Sequence, residues 1–360
     1  MLHATIMAGG GGTRFWPRSR QRRPKQFLTM AGDRSLIQLA FDRIDACAIP
    51  AERTRVITGD AYREETARQL PELPDQRIVG EPVGRDTAPC IGLAAALVAR
   101  EDPDATLLVT PADHVIEPVQ LFRTAVHVAT QLADENPTAL VTFGIPPTFP
   151  ATGYGYIHRG ELATRRQGID IFRVSGFREK PAADVAERFV ASGEYYWNSG
   201  IFVWKAAAVL AEMQAQRPAL HDSVRRIADA AGTPRWGGVL REEYGKVEKV
   251  SIDYAVMEHA REVLAVQAPY RWDDVGSWLA LERMNPQDAD GNTVLASHCG
   301  LNTRNCVVVG EPGRLIATVG VRDLVIVQDG DATLIADRRE EGTVKQLVDL
   351  LKSKGLEKYL

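Results

Sequence analysis

The sequence predicts an α/β protein: an open, mostly parallel sheet with helices on both faces, followed by a small β-rich C-terminal part. Three observations carry this expectation. Apolar β-prone runs alternate with amphipathic helical patterns over the first three quarters of the chain; a glycine run follows the first strand; and beyond Asn285 helical periodicity gives way to short β runs. The strand candidates are residues 5–8, 55–58, 105–110, 139–144 and 200–204. Between them, residues 35–47, 89–99 and 121–133 carry apolar side chains at three- and four-residue spacing, as helices with one buried face do. Ligands of such sheets sit at the carboxyl ends of the strands, so the loops that follow strands are where chemistry is to be sought. From residue 292 to 336 the runs 306–309, 315–319, 324–328 and 333–336 are separated by Gly-containing turns, and one amphipathic helix follows over 343–352. The change in character divides 1–285 from 286–360.

Composition narrows the class. The chain has 360 residues, 45% of them hydrophobic and 25% charged, which suffices for a large core without covalent staples. A formal net charge of −4 gives no bulk attraction to nucleic acid or to a membrane surface. Cys47, Cys90, Cys299 and Cys306 are scattered and form no CxxC pair, which points away from a zinc site and toward a reducing compartment. The opening apolar run is too short for a signal-peptide core, and no stretch approaches the ~20 apolar residues of a membrane span. A cytoplasmic location is the expectation.

The first strand ends in Ala8-Gly9-Gly10-Gly11-Gly12-Thr13-Arg14. Glycines there let the backbone turn tightly and bring its N–H groups against a phosphate. Gly12 is followed by Thr13-Arg14 and not by Gly-Lys-Ser/Thr, so the turn is not a Walker loop, and no third glycine completes a dinucleotide fingerprint. Residues 14–25 then hold six cations, Arg14, Arg18, Arg20, Arg22, Arg23 and Lys25, and no acid. Two prolines and Phe15-Trp16 make this a shaped loop, and cations just after a phosphate turn suit a triphosphate.

Gly9-Gly10-x-Gly12-Thr13-Arg14-x-x-Pro17, with Pro24-Lys25 after it, resembles the signature of the sugar-1-phosphate nucleotidyltransferases. The spellings at Phe15 to Arg20 and Pro24 to Phe27 are similar to those of its mannose-1-phosphate guanylyltransferase branch. The resemblance continues in order: Glu81-Pro82-x-x-Arg85-Asp86-Thr87-Ala88-Pro89, Pro111-Ala112-Asp113-His114, Thr152 to Ile157, Phe177-x-Glu179-Lys180-Pro181, Trp197 to Phe202, Ser251 to Tyr254 and Trp272 to Trp278. It implies a Rossmann-like nucleotidyltransferase domain with a short left-handed β-helix tail that packs in a homodimer. It also implies transfer of GMP from GTP to mannose 1-phosphate. The sequence ends at Leu360, before any fused isomerase domain, so a single activity is expected.

In that light Ala8, Gly9, Gly10, Gly12, Thr13, Arg14, Lys25, Pro111 and Asp113 are expected around the nucleotide, with Glu81, Arg85, Asp86 and Thr87 at the base. Tyr154, Gly155, Glu179, Lys180 and Asn198 are expected around the sugar phosphate. Arg14, Lys25, Lys180, Asp113 and Asp274 would carry the chemistry, the two aspartates jointly holding Mg²⁺. The incoming phosphate is already an oxyanion, so no general base is needed, and charge neutralisation and positioning must supply the catalysis. Guanine offers two adjacent donors to a carboxylate such as Glu81, whereas adenine offers a lone pair at N1. Taken alone, each station has a structural alternative: Asp113 as a helix cap, Glu179-Lys180 as an exposed ion pair, Asn198 as turn chemistry, Asp273 and Asp274 as caps, Glu81 and Arg85 as partners of each other. Rival functions are a sister nucleotidyltransferase for another base or sugar, a silent sugar-nucleotide-binding relative and, more distantly, a dehydrogenase.

Overall fold

Hydrophobic strands and helices alternate through most of a computed structural model, which describes residues 1–10, 12–30 and 32–360. Gly11 of the glycine run lies outside the described residues. In chain order the elements are β1 (Leu2–Ala8), α1 (Leu36–Ala46), β2 (Thr54–Gly59), α2 (Arg63–Gln69), β3 (Ile78–Glu81), α3 (Thr87–Glu101), β4 (Thr106–Pro111), β5 (Val115–Glu117) and α4 (Val119–Glu135). They continue with β6 (Leu140–Ile145), β7 (Gly155–Arg166), β8 (Ile169–Glu179), α5 (Ala183–Ser192), β9 (Tyr195–Lys205), α6 (Ala206–Gln216), α7 (Pro218–Ala230), α8 (Trp236–Lys246), α9 (Ile252–Ala255) and β10 (Val263–Gln267). Then come β11 (Arg271–Asp273), α10 (Ala280–Met284), β12 (Thr293–Leu295), β13 (Ser297–Leu301), β14 (Val307–Val309), β15 (Leu315–Val319), β16 (Leu324–Asp329), β17 (Ala332–Asp337) and α11 (Val344–Ser353). Among the described residues no helix is long and apolar enough to cross a membrane.

Two compact units emerge, and they do not follow one cut in the sequence. The first comprises Met1–Gly9, Ala40–Ala112 and Ile116–Trp272; the second comprises Gly10–Leu39, Asp113–Val115 and Asp273–Leu360. The first holds a nine-stranded sheet in the order β3-β2-β1-β4-β9-β6-β10-β8-β7. β3, β2, β1 and β4 run parallel, but β9 enters antiparallel between β4 and β6, and β7 and β8 form an antiparallel pair at the far edge. The α/β class stands, while the sheet is more mixed than the mostly parallel one expected. The reason is that a strand buried on both faces reads as a continuous apolar run whichever way its neighbours point. One face carries α3, α6, α7 and α8, whose apolar stripes bury Leu93, Leu97, Val209, Met213, Val224 and Leu240 against Leu107, Val109, Phe202 and Trp204. α4 packs its Phe122 against Phe143 and Tyr270, outside that cluster.

The second unit is built round parallel rungs. β12 pairs with β14 and β14 with β16, while β13 pairs with β15, all parallel. Val307 sits opposite Val325 and Ser297 opposite Leu315, so both rungs joining these two coils keep one offset along the chain, while Thr293 opposite Val307 marks a shorter step before them. That is a β-helix-like arrangement, closed by the antiparallel β17 and by α11. Its core takes Val307, Val309, Val325, Val327, Leu334, Val344 and Val348 together with Phe15, Trp16, Leu28 and Met30 from the N-terminal loop and Leu36 from the start of α1. Phe15 meets Trp278 edge-on at 5.0 Å, the Trp278 indole N–H donates to the Trp16 carbonyl (3.3 Å) and the Trp16 indole N–H donates to the Tyr359 carbonyl (2.8 Å). The expected boundary near residue 286 falls inside this unit.

Trp278 is fully buried at this junction. Trp278→Ala is expected to cost ~3–5 kcal/mol of stability. By hydrogen exchange it should speed the Phe27 and Leu28 amides together with those of Val325 and Val327. Faster exchange confined to the β-helix would show that the loop and the rungs do not open as one.

Candidate active site

In the second unit the glycine turn is set by what lies beneath it. Gly12 has φ 56°, in the left-handed region, and a Cβ there would stand 2.8 Å from the Lys25 amide nitrogen, so only glycine fits. The Gly12 carbonyl accepts from the Phe15 amide (3.0 Å) and from the Ser19 hydroxyl, and the Thr13 carbonyl accepts from the Trp16 amide, which wraps the loop around Lys25. Lys25 is buried. Its ammonium donates to Asp113 Oδ2 at 2.7 Å and to the Asp274 carbonyl at 2.6 Å. Burial alone would raise the Asp113 carboxyl, but the charges of Lys25 and His114 hold it below the ordinary carboxylate range, so it is an anion near neutrality. Asp113 caps no helix, because β5 and Pro118 separate it from α4.

Asp273 and Asp274 each accept from the amide two residues on, at Val275 (2.7 Å) and Gly276 (3.0 Å), and so shape a turn and not a helix start. Asp273 is also paired with Arg283. Arg14 is exposed and donates to the Gly276 carbonyl at 3.2 Å. Part of the basic segment is engaged in ion pairs: Arg20 pairs with Asp331 at 2.7 Å and Arg18 lies 3.8 Å from Asp329. Acids some 300 residues away (by numbering) neutralise cations that look unpaired in the local sequence.

The first unit carries the other stations. Ala8 ends β1 with its carbonyl held by the Thr58 hydroxyl (2.9 Å), and Pro111 ends β4 opposite Met7. Glu81 ends β3, and its Oε1 accepts from the Tyr244 hydroxyl, while its Oε2 lies 3.8 Å from where a Gly9 Cβ would be. Burial pushes the Glu81 carboxyl up to about 7, the Tyr244 bond opposing part of that rise. Arg85 donates to the Gly245 carbonyl at 2.6 Å, so Glu81 and Arg85 are gripped by neighbouring residues of α8 and not by each other. Asp86 adopts φ 69° and caps α3, accepting from the Thr87 amide at 2.8 Å. The Thr87 hydroxyl accepts from the Ile252 amide, also at 2.8 Å.

Glu179, Lys180, Asn198 and Gly155 come together in the same unit. The Lys180 ammonium donates to Glu179 Oε1 at 2.7 Å, and that bond raises the Lys180 pKa, with Asp86 among the charges that add to it. A Cβ on Gly155 would stand 2.5 Å from Glu179 Oε2, so glycine is required for the carboxylate to lie there. Tyr154, Trp197 and Trp272 pack edge to face beside the cluster, Tyr154 5.1 Å from Trp197 and 5.4 Å from Trp272.

Two family comparisons match this chain. Residues 3–291 match the Nucleotidyl transferase family, and residues 296–351 match the MannoseP isomerase/GMP-like beta-helix domain. The chain belongs to the nucleotidyl transferase family. It is 41% identical over 359 residues to the mannose-1-phosphate guanylyltransferase of Escherichia coli (strain K12), spanning 98% of this chain and 74% of that one. It is 39% identical over 360 residues to the xanthan biosynthesis protein XanB of Xanthomonas campestris pv. campestris (strain B100), spanning 97% and 73%. A Thermus thermophilus structure named mannose-1-phosphate geranyltransferase superposes with a TM-score of 0.85 at 35% identity, over 98% of this chain and 99% of that one.

Within this nucleotidyl transferase fold, one residue beside Glu179 and Asn198 has no role in the sequence reading beyond its place in the Ser251 to Tyr254 segment. Asp253 Oδ1 accepts from Asn198 Nδ2 at 2.7 Å. Burial and the charge of Glu179 push its carboxyl up to about 6. In sequence it is one acid in the first turn of α9, a position where acids are ordinary. Tyr244, the partner of Glu81, is hidden for a similar reason, since an aromatic on a helix reads as core.

A carboxyl whose native pKa exceeds its unfolded value favours the fold while protonated. That contribution is complete below the ordinary carboxylate range and is lost as pH rises through the native value. For Glu81 that value is about 7. Glu81→Gln keeps an acceptor for Tyr244 but does not ionise. Its urea midpoint is therefore expected to rise relative to the wild type from about pH 5 to about pH 8. A constant difference across that range would place Glu81 in an ordinary solvated environment.

Proposed function

We propose that this chain transfers GMP from GTP to α-D-mannose 1-phosphate, giving GDP-mannose and pyrophosphate. The observation that carries the proposal is the 41% identity along 98% of the chain to a mannose-1-phosphate guanylyltransferase. The geometry of each unit supports it. An oxygen of the sugar phosphate attacks the α-phosphorus; that P–O bond forms as the bond to the bridging α,β oxygen breaks, and pyrophosphate leaves with the electron pair. The nucleophile is an anion at neutral pH, so the protein's task is to hold polyanions and neutralise them.

Backbone groups at Ala8, Gly9, Gly10, Gly12 and Thr13 are assigned to the triphosphate, with Arg14 and Lys25 on its departing β,γ portion and Pro111 completing the nucleotide side. Glu81, Arg85, Asp86 and Thr87 are assigned to guanine, Lys180 to the sugar phosphate, and Tyr154, Gly155, Glu179 and Asn198 to the sugar. Asp113 and Asp274 suit Mg²⁺: Asp113 is an oxygen donor kept ionised, and among the described residues no group of three or more His, Cys, Asp or Glu forms a closed cage. An ion held by one or two carboxylates, with phosphate oxygens and water filling its sphere, fits such a donor set. When bound, it would supply charge neutralisation at the reacting phosphates. We assign catalysis to residues 1–285, and place the enzyme in the cytoplasm.

Purified protein with Mg²⁺, GTP and mannose 1-phosphate is expected to release pyrophosphate, and excess EDTA to abolish the release. Lys25→Ala and Arg14→Ala should each lower kcat by ~10²–10³. Equal rates with ATP and GTP, or full activity in EDTA, would overturn the assignment.

Homodimerisation through residues 286–360 belongs to the same proposal. Leu301, Leu315 and Val319 are 62%, 69% and 70% exposed on the β13–β15 pair, where Leu301 stands opposite Val319. Apolar side chains grouped on one sheet face are characteristic of an interaction surface. Leu315→Asp with Val319→Asp is expected to halve the mass measured by light scattering. An unchanged mass would move the interface elsewhere.

A further inference from the structure

The hydrogen bonds of Asn198 leave it little capacity for a ligand. Its Oδ1 accepts from the Gly200 amide (3.2 Å) and, more weakly, from the Thr142 hydroxyl (3.4 Å), while its Nδ2 donates to Asp253. One amide N–H remains. The amide is thereby oriented, and what it orients is a carboxylate. Among the described residues no cation is paired with Asp253; Lys180 acts on it only through space, its ammonium being bonded to Glu179. Glu179 is near enough for its charge to disfavour ionisation of Asp253. Glu179 and the Asn198 that holds Asp253 both border Gly155, where a Cβ would stand 2.5 Å from Glu179 Oε2 and 3.6 Å from Asn198 Cβ, so two carboxylates belong to one part-buried cluster with more acceptor capacity than the protein fills.

Such a cluster calls for a ligand rich in donors. Water can supply them, but a sugar ring presents several hydroxyls at fixed spacing, and each hydroxyl donated to a desolvated carboxylate is a charge-assisted bond. We propose that Asp253 is a specificity-determining residue: its carboxylate, held by Asn198, accepts from a ring hydroxyl of the sugar 1-phosphate alongside Glu179. Asn198 then acts chiefly through Asp253. This rests on the assignment of the cluster to the sugar made above. It adds a second acid to the reading of the sugar, in a residue whose local sequence marks it only as a first-turn acid of a short helix.

Asp253→Asn tests this directly, because the amide oxygen can still accept from Asn198 while the anionic acceptor is gone. The expected result is a rise of about tenfold or more in KM for mannose 1-phosphate, with KM for GTP within about twofold. In the monodeoxy sugar 1-phosphate series, the analogue lacking the hydroxyl that Asp253 accepts should lose no further kcat/KM in D253N, although it is a poor substrate for the wild type. If D253N does not accumulate as folded protein, D253A is measured in the same way. An unchanged KM for mannose 1-phosphate, or additive losses for every analogue, would overturn the role of Asp253. A wild-type protein that makes no GDP-mannose would instead overturn the guanylyltransferase assignment.

Discussion

The Lys25 ammonium is the contact on which the second unit depends. A buried cation must be paired or it costs far more than a fold can supply. Lys25 meets that requirement with the Asp113 carboxylate and the Asp274 carbonyl. These three residues come from the three separate stretches of chain that make up the unit. Gly12 presses on the backbone of the same lysine, so one contact sets both the curvature of the glycine turn and the position of the carboxylate. The same ion pair keeps Asp113 charged. A group proposed to hold a divalent cation is thus supplied, before any ligand arrives, with a positive partner against which the ligand's charge must compete.

The first unit solves its own positioning problem with a continuous strap from Tyr244 to Asp253. Tyr244 holds Glu81, and the Gly245 carbonyl takes Arg85. The Val250 amide donates to the Arg85 carbonyl, and its carbonyl accepts from the Ala88 amide. Ile252 reaches Thr87, and Asp253 reaches Asn198. Groups assigned to the base and to the sugar are therefore tied to one short stretch of backbone. Hydrogen bonds at five points along it fix how these side chains are oriented, as a connected polar network does.

Much of this was legible in the sequence. Helices α3 and α4 and strands β2 and β4 follow from period and from apolar runs, and the glycine turn from its position after β1. Glu179 and Lys180, for which an ion pair is the structural alternative to a role at the sugar phosphate, are paired at 2.7 Å. What stayed hidden depends on neighbours far along the chain. Nothing local in the run from Tyr195 to Lys205 tells that β9 lies antiparallel between β4 and β6. The cations Arg18 and Arg20 look available until Asp329 and Asp331 are brought beside them. Phe15 and Trp16 read as a stiffener of a basic loop, yet they are core residues of the second unit.

That last placement has a consequence for the order of events in synthesis. Phe15, Trp16 and Leu28 emerge early, but Trp278, Val325, Val327 and Tyr359, against which they pack or bond, are translated long after them. At cellular elongation rates the interval is on the order of tens of seconds, far longer than the microseconds in which local helices form. The thermodynamic penalty for so long a closure grows only with the logarithm of its length, so the finished fold loses little by it. The nascent chain, however, carries two large aromatic residues and a cluster of cations with no place to go until the segment from Trp278 to Val327 is made. A loop translated well before the β-helix segment thus takes its final shape only after that segment is made.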